Sequence, residues 1–282
     1  MERKVKIVAD STCDLSAELL ERYRIDVIPL NVNLGDVSYL DGVDIHTPDL
    51  FEYYKKTGKL PTTSAPTPAY YEDFYQKWTN EGWEVVHFSI SAELTVTPNI
   101  AKMAAEKFDN IYPVDSRNVS NGMGILAIKA AELRDEGLSA KEIEERVLGM
   151  TGKVRTTCVI STLLYMYKGG RCTGVQALGA NLLNLKPCID VTNGKMGVAQ
   201  KYRGSLKSAV CKLVEDRLKG VENVDLDRLL IANYDVDSKT IEAVKAKIRE
   251  YQDFKDIFVD DCGCSVSVHC GPGTLALIYM TK

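Results

Sequence analysis

The sequence predicts a two-domain α/β protein, and three observations carry that prediction. Strand patterns alternate with helix patterns through the first half of the chain, which argues for a parallel sheet covered on both faces. The 282 residues exceed an ordinary small domain. Beyond a capping box at Ser139 and Glu142 the texture changes, to glycine-rich loops and paired strands about Asn193-Gly194 that read as a hairpin. The boundary is expected near residue 152, giving domains over 1–152 and 153–282.

Lys4 to Ala9 reads as a strand that runs into the polar turn Asp10-Ser11-Thr12, and Leu19, Leu20 and Tyr23 then recur at helical spacing behind Ser16 as N-cap. A second apolar run spans Asp26 to Leu34, followed by a helix over Pro48 to Lys56. Pro61, Pro66 and Pro68 exclude regular structure from Leu60 to Thr67, while Pro68 suits the first turn of a helix carrying Tyr70, Tyr71, Phe74, Tyr75 and Trp78. Glu84 to Ser89 forms the next strand, and it enters a hydroxyl-rich loop from Ser91 to Thr97, where Thr97-Pro98 supplies N-cap and first helical residue. Ile111 to Val114 leads through Asp115-Ser116 to a helix from about Gly122. In the second half we expect a strand from Thr156 to Ile160, the loop Lys168-Gly169-Gly170-Arg171, an apolar helix to Leu183 and the hairpin. Cys262 to Cys270 reads as a strand, Gly271-Pro272-Gly273 as a turn, and Leu275 to Met280 as a closing strand.

Composition removes several function classes. Thirty-five basic against 39 acidic residues give a net charge of −4, which offers no attraction for nucleic acid or an anionic membrane. The start of the chain lacks a signal-peptide core, and no run reaches the ~20 apolar residues of a membrane span, so a cytoplasmic protein is expected. Eight cysteines in such a chain are expected to be reduced thiols that pack as small hydrophobes.

Gly122-Met123-Gly124-Ile125-Leu126-Ala127 has the form G-x-G-x-x-A. Its first glycine lies eight residues past Val114, too far from the strand for a dinucleotide fingerprint. Cys262, Cys264, His269 and Cys270 resemble a metal cluster, but alternation along a strand groups Cys264 and Cys270 with Val266 and Val268, and His269 with Ser265 and Ser267. We therefore expect no metal site and no nucleophile at Cys270, unless a bulge breaks that parity. His269 stands beside a hydroxyl-bearing face, either as a site residue or as a hydrogen-bonded structural histidine. Thr63, Ser64, Ser91 and Thr95 exceed what helix caps need, and such donors at strand ends suit an anionic group, a carboxylate above all. Arg171, behind Gly169-Gly170, is either a recognition fork or an exposed turn charge.

Seven strings in order, Asp10-Ser11-Thr12-Cys13-Asp14-Leu15, Thr63-Ser64-Ala65-Pro66, Ser91-Ala92-Glu93-Leu94-Thr95, Asp115-Ser116-Arg117, Tyr167-Lys168-Gly169-Gly170-Arg171, Leu185-Lys186-Pro187 and His269-Cys270-Gly271-Pro272-Gly273, resemble the DegV family of bacterial fatty-acid-binding proteins. The resemblance implies an N-terminal parallel-sheet α/β/α domain, a C-terminal two-layer α/β domain with a mixed sheet, and a tunnel between them for one long-chain fatty acid. It implies that Thr63 and Thr95 contact the carboxylate with His269 nearby, that Ser64 and Ser91 belong to the same two loops, and that Gly170 and Arg171 lie at a docking surface or tunnel entrance. The partner implied is a separate ATP-binding fatty acid kinase subunit, with membrane contact only during lipid exchange, and no catalytic residue, metal or cofactor beyond the bound lipid. Ala92, Thr95 and Val96 depart from the family's Ser-Ser-x-Leu-Ser-Gly-Thr loop, and valine cannot adopt the left-handed angles open to glycine. A stand-alone hydrolase or transferase with His269 as general base is the alternative, disfavoured because no nucleophile is positioned beside that histidine.

Overall fold

The computed structural model describes residues 4–173 and 185–282. Strand β1 (Val5–Asp10), helix α1 (Ala17–Tyr23) and β2 (Ile25–Ile28) open the chain, followed by the hairpin β3 (Asn31–Leu34) and β4 (Val37–Leu40), helix α2 (Thr47–Thr57) and the short β5 (Thr62–Ser64). Helix α3 (Pro68–Asn80), β6 (Glu84–Ser89), α4 (Thr97–Ala105), β7 (Ile111–Asp115), α5 (Asn121–Asp135) and α6 (Ala140–Met150) complete the first half. A turn over Thr151–Lys153 leads to β8 (Val154–Ile160), α7 (Leu164–Gly169), β9 (Cys172–Thr173), β10 (Leu185–Thr192), β11 (Lys195–Arg203), α8 (Leu206–Leu218), β12 (Val224–Tyr234), α9 (Ser238–Tyr251), β13 (Asp256–Asp261), α10 (Cys264–Cys270) and β14 (Thr274–Thr281). The expected helix to Leu183 lies outside the described residues.

The first half is built on a parallel sheet of order β2-β1-β6-β7. Apolar residues on both faces of its strands make it a buried sheet. Ile7, Ala9, Val86 and Phe88 face α1, α5 and α6, while Val8, Val85 and Ile28 face the aromatic ridge of α3 and the alanines of α4. The chain leaves β1 toward one edge and β6 toward the other. Their carboxyl ends therefore flank the switch point where ligands of open α/β sheets bind.

The second half is a mixed sheet of order β13-β12-β14-β8-β10-β11-β9. Alternation along its strands gives two faces: Leu229, Ile231, Leu275 and Leu277 pack under α8 and α9, and Leu230, Ala232, Ala276 and Ile278 join the core of the first half. Helix α5 makes that junction, packing on β1 and on β14. Eleven of its fifteen residues are buried, as befits a helix enclosed between two layers, and its charged residues, Lys129, Glu132, Arg134 and Asp135, fall in its second half. Its glycines serve this packing. A Cβ on Gly122 would collide with the Asn118 and Thr156 side chains, and one on Gly124 would lie 2.7 Å from Leu15.

Two expectations need correction. Thr62–Ser64 is a strand, paired antiparallel to β3 in the small sheet β4-β3-β5, because Pro61 and Pro66 flank it and leave its own amides free. Cys262 to Cys270 does not form a strand: α10 occupies most of it, with Ser267 N donating to Gly263 O at 3.0 Å and Gly271 N to Ser267 O at 2.8 Å. The cause is tertiary. Asp41 accepts from Cys264 N and Ser265 N at 2.9 and 3.0 Å, and Asp14 accepts from Gly263 N at 3.0 Å, so two carboxylates far away in the chain satisfy the first amides of this helix. A smaller shift occurs at α4, where Val96 is the cap residue and Thr97 already belongs to the helix.

Candidate functional site

A cavity of about 570 Å³ lies at the carboxyl ends of β1 and β6, between that sheet, α10 and the inner face of the mixed sheet. Its interior is mainly apolar: Leu30, Ile90, Leu94, Val119, Ile189, Val191, Met196 and Ala276 contribute to it.

One wall is α10. Helical spacing turns Ser265 and His269, and Val266 and Cys270, toward the cavity, while Cys264 and Val268 pack with Val32, Ile45 and Leu50. The strand parity that grouped Ser265 with His269 therefore survives as an i, i+4 pair. The same parity set Cys270 apart from His269, and that separation fails, since both line the cavity. Burial, with Asp14 and Cys172 adding to it, pushes the Cys270 thiol up to about 12, which disfavours the thiolate. Burial also holds Cys158 and Cys262, likewise in the wall, well above the usual range. Among the described residues no group of three His, Cys, Asp or Glu side chains could hold a metal ion.

His269 meets Thr63 at the cavity border, with Nε2 to Oγ1 at 3.3 Å. Burial, and then the nearby Arg171 guanidinium, lowers the imidazole to about 4, so it is neutral near pH 7. Its Nδ1 is buried without a partner. The backbone of Gly169 lies against that atom so closely that a Cβ would collide with it. Gly170, at φ 67°, caps α7 in the left-handed region, and the exposed Arg171 folds back to donate to Gly169 O. Gly271, at φ 76°, leaves the space that the Tyr165 ring occupies. Thr63, Arg171 and His269 also line a second, outer cleft of about 300 Å³ together with Lys59 and Lys168, so the cavity and a basic cleft share one wall.

Thr95 lines the cavity, its Oγ1 3.0 Å from Thr97 Oγ1 and accepting from Thr97 N at 3.3 Å. Val96 has φ −80° and ψ −6°, so this loop asks for no left-handed residue and valine fits it without strain. Ser64 lines the cavity too, and its Oγ accepts from Asn33 Nδ2 at 3.3 Å. Ser91 is not among the residues that line the cavity. Its fully buried Oγ accepts from Glu93 N at 3.2 Å and packs against Gly194, so it shapes the loop from behind the cavity wall.

Among the hydroxyls that line the cavity, Thr12, Ser120, Thr156, Ser265 and Thr274 were not named as site residues from sequence. Thr12 Oγ1 and Ser265 Oγ are buried without partners, and Ser120 Oγ donates to Asp14 Oδ2 at 2.6 Å. Thr12 follows the end of β1, where the strand-end rule already pointed; Ser265 needed the helix to aim it inward. Also unforeseen is a fully buried network outside the cavity lining. Asp10 Oδ1 accepts from Tyr71 Oη at 2.8 Å and lies 3.1 Å from His87 Nε2, whose Nδ1 is 2.7 Å from Tyr75 Oη. It bolts the carboxyl end of β1 to β6 and α3, holding the switch point in shape.

An apolar cavity with unpartnered hydroxyls and one neutral histidine has the chemistry that suits a small amphipathic molecule. The model of the DegV family, described as uncharacterised, matches residues 4–282, and the chain belongs to that family. A DegV domain-containing protein of Clostridium perfringens is 32% identical over 283 residues, covering 99% of both chains. A solved structure described as fatty acid binding of a DegV family protein from Thermus thermophilus superposes with a TM-score of 0.88 at 28% identity, over 99% of this chain and 100% of that one. A stearic acid-binding protein of Eubacterium ventriosum superposes with a TM-score of 0.80 at 26% identity, over 99% and 98% of the two chains.

Proposed function

We propose that this chain is a carrier, without chemistry of its own, that holds one long-chain fatty acid in the cavity and presents its carboxylate to a separate ATP-dependent kinase subunit. The observation that carries the reading is the Thr63–His269 contact at the border of an apolar cavity. His269 Nε2–H donates to Thr63 Oγ1, and the Thr63 hydroxyl then donates to the carboxylate, which leaves Nδ1 as an acceptor without a stranded proton. Thr95 and Ser64 supply further hydroxyls from the facing loops. Burial of the tail stabilises the complex by about 0.8 kcal/mol per methylene, and the donors offset the cost of desolvating the carboxylate.

Presentation is supported by the wall shared with the outer cleft, whose Lys59, Lys168 and Arg171 form a basic rim suited to an approaching phosphate donor. Gly170 and Arg171 belong to that docking surface, and the two halves divide near residue 152. We place the carrier in the cytoplasm, with membrane contact only during lipid exchange; among the described residues no helix is long and apolar enough to cross a membrane. A stand-alone hydrolase or transferase is less well supported, because an imidazole lowered to about 4 is a poor general base near pH 7.

Solvent extraction of the purified protein followed by mass spectrometry tests the reading: a stoichiometric fatty acid is expected, and a protein that carries none and takes up none refutes it. Thr63→Val should weaken fatty acid binding by ~1 to 3 kcal/mol. Unchanged affinity removes Thr63 from the site.

A further inference from the structure

The cavity has a second polar border. Thr156 on β8 and Val191 on β10 line both the cavity and a separate cleft of about 660 Å³. A seam in the mixed sheet accounts for this. Strands β8 and β10 pair from Val159↔Cys188 to Thr157↔Asp190 and no further. Beyond that point β10 stays with β11 as far as Thr192↔Lys195, and β8 stays with β14 as far as Val154↔Met280. The two strands follow different neighbours and part, and the Thr156 hydroxyl, donating to Asn118 Oδ1 at 2.6 Å, sits where they do.

The cleft beyond the seam is cationic. Asp190 is neutralised by Arg217 at 2.8 and 2.7 Å, and Asp216 accepts from Tyr202 Oη at 3.0 Å and pairs with Lys212 at 3.2 Å. Arg117 donates to Asn193 O at 3.2 Å, and Arg155 to Gly152 O and Val154 O at 2.8 and 3.2 Å. Carbonyls orient these two guanidiniums without neutralising them, and among the described residues neither has a carboxylate partner. Arg217 Nε is buried without any partner. A blind apolar pocket would expel a second charge at the far end of an acyl chain. This one ends beside two uncompensated arginines.

We propose that the cleft receives the distal end of a bifunctional acyl ligand, so that the protein binds long-chain α,ω-dicarboxylic acids with one carboxylate at Thr63 and His269 and the other at Arg117 and Arg155. The inference rests on the reading of the cavity as a fatty acid site. Guanidinium forks suit a carboxylate, and the cleft that holds them is divided from the cavity by Thr156 and Val191, which line both.

The test is competition for a fluorescent fatty acid on the delipidated full chain. Hexadecanoic acid is compared with the dicarboxylic series from dodecanedioic to octadecanedioic acid, on the native protein and on an Arg117→Gln, Arg155→Gln double variant. One or more diacids should rival hexadecanoic acid on the native protein, and the double variant should lose about tenfold for those diacids while keeping its affinity for hexadecanoic acid. The proposal is overturned if hexadecanoic acid binds and no diacid does, or if the double variant binds the diacids as well as the native chain. Should hexadecanoic acid itself fail to bind, the fatty acid reading falls, and this inference falls with it.

Discussion

Two walls of the same cavity reach their shapes by different routes. The loop from Ser91 to Thr97 is held largely by its own residues: Ser91 Oγ caps Glu93 N, Leu94 N returns to Ser91 O at 3.0 Å, and Thr95 Oγ1 takes the Thr97 amide. Helix α10 is held from outside, by Asp14 and Asp41 more than two hundred positions earlier. A wall built from neighbours in sequence can be read from sequence, and a wall built from distant carboxylates cannot. The difference is also one of robustness, because α10 depends on the packing of the whole first half.

The largest effect is expected where that dependence is cut. Asp41→Ala strands the amides of Cys264 and Ser265 and the Ser11 hydroxyl, and should lower stability by ~3 kcal/mol in denaturant unfolding while loosening ligand binding through His269. An unchanged unfolding midpoint would mean that α10 holds itself. Next comes pH. The unfolded imidazole of His269 binds a proton below 6.5 and the folded one only below about 4, so its contribution is complete above 6.5 and is lost as pH falls toward 4. His269→Gln should remove about 3 kcal/mol from that acid-side loss, measured as unfolding midpoint against pH. Parallel curves for the two proteins would contradict the burial of the ring. The smallest effect belongs to the Ser91–Thr97 loop: Ser91→Ala should cost about 1 kcal/mol of stability and leave fatty acid affinity nearly unchanged. A tenfold loss of affinity would return Ser91 to the ligand's surroundings.

Much of the architecture was legible because the signals were local. The Pro68 start of α3, the capping box of Ser139 and Glu142, and the apolar strands β1 and β6 each carry their structure in adjacent residues. Motif order singled out Thr63, Ser64, Thr95, Arg171 and His269, and the fold brings them around one cavity. What was missed follows a pattern. Alternating Cys, Ser and Val in α10 favour a strand by propensity, and only distant carboxylates override it. Thr12 and Ser265 are ordinary hydroxyls until the fold strips them of partners. The buried Asp10–His87–Tyr75 chain joins three elements whose polar residues have no common spacing in sequence.

Helix α5 sets a limit on how this protein can take up a ligand. Its flanks contact both sheets, and at Gly122 and Gly124 the neighbouring side chains lie where any larger residue would stand. Swinging the two halves apart about a hinge would expose the buried apolar residues of that helix, among them Met123, Ile125, Leu126 and Ile128, to water, at a large cost. Opening at the ends of the cavity, with the central helix in place, exposes far less apolar surface.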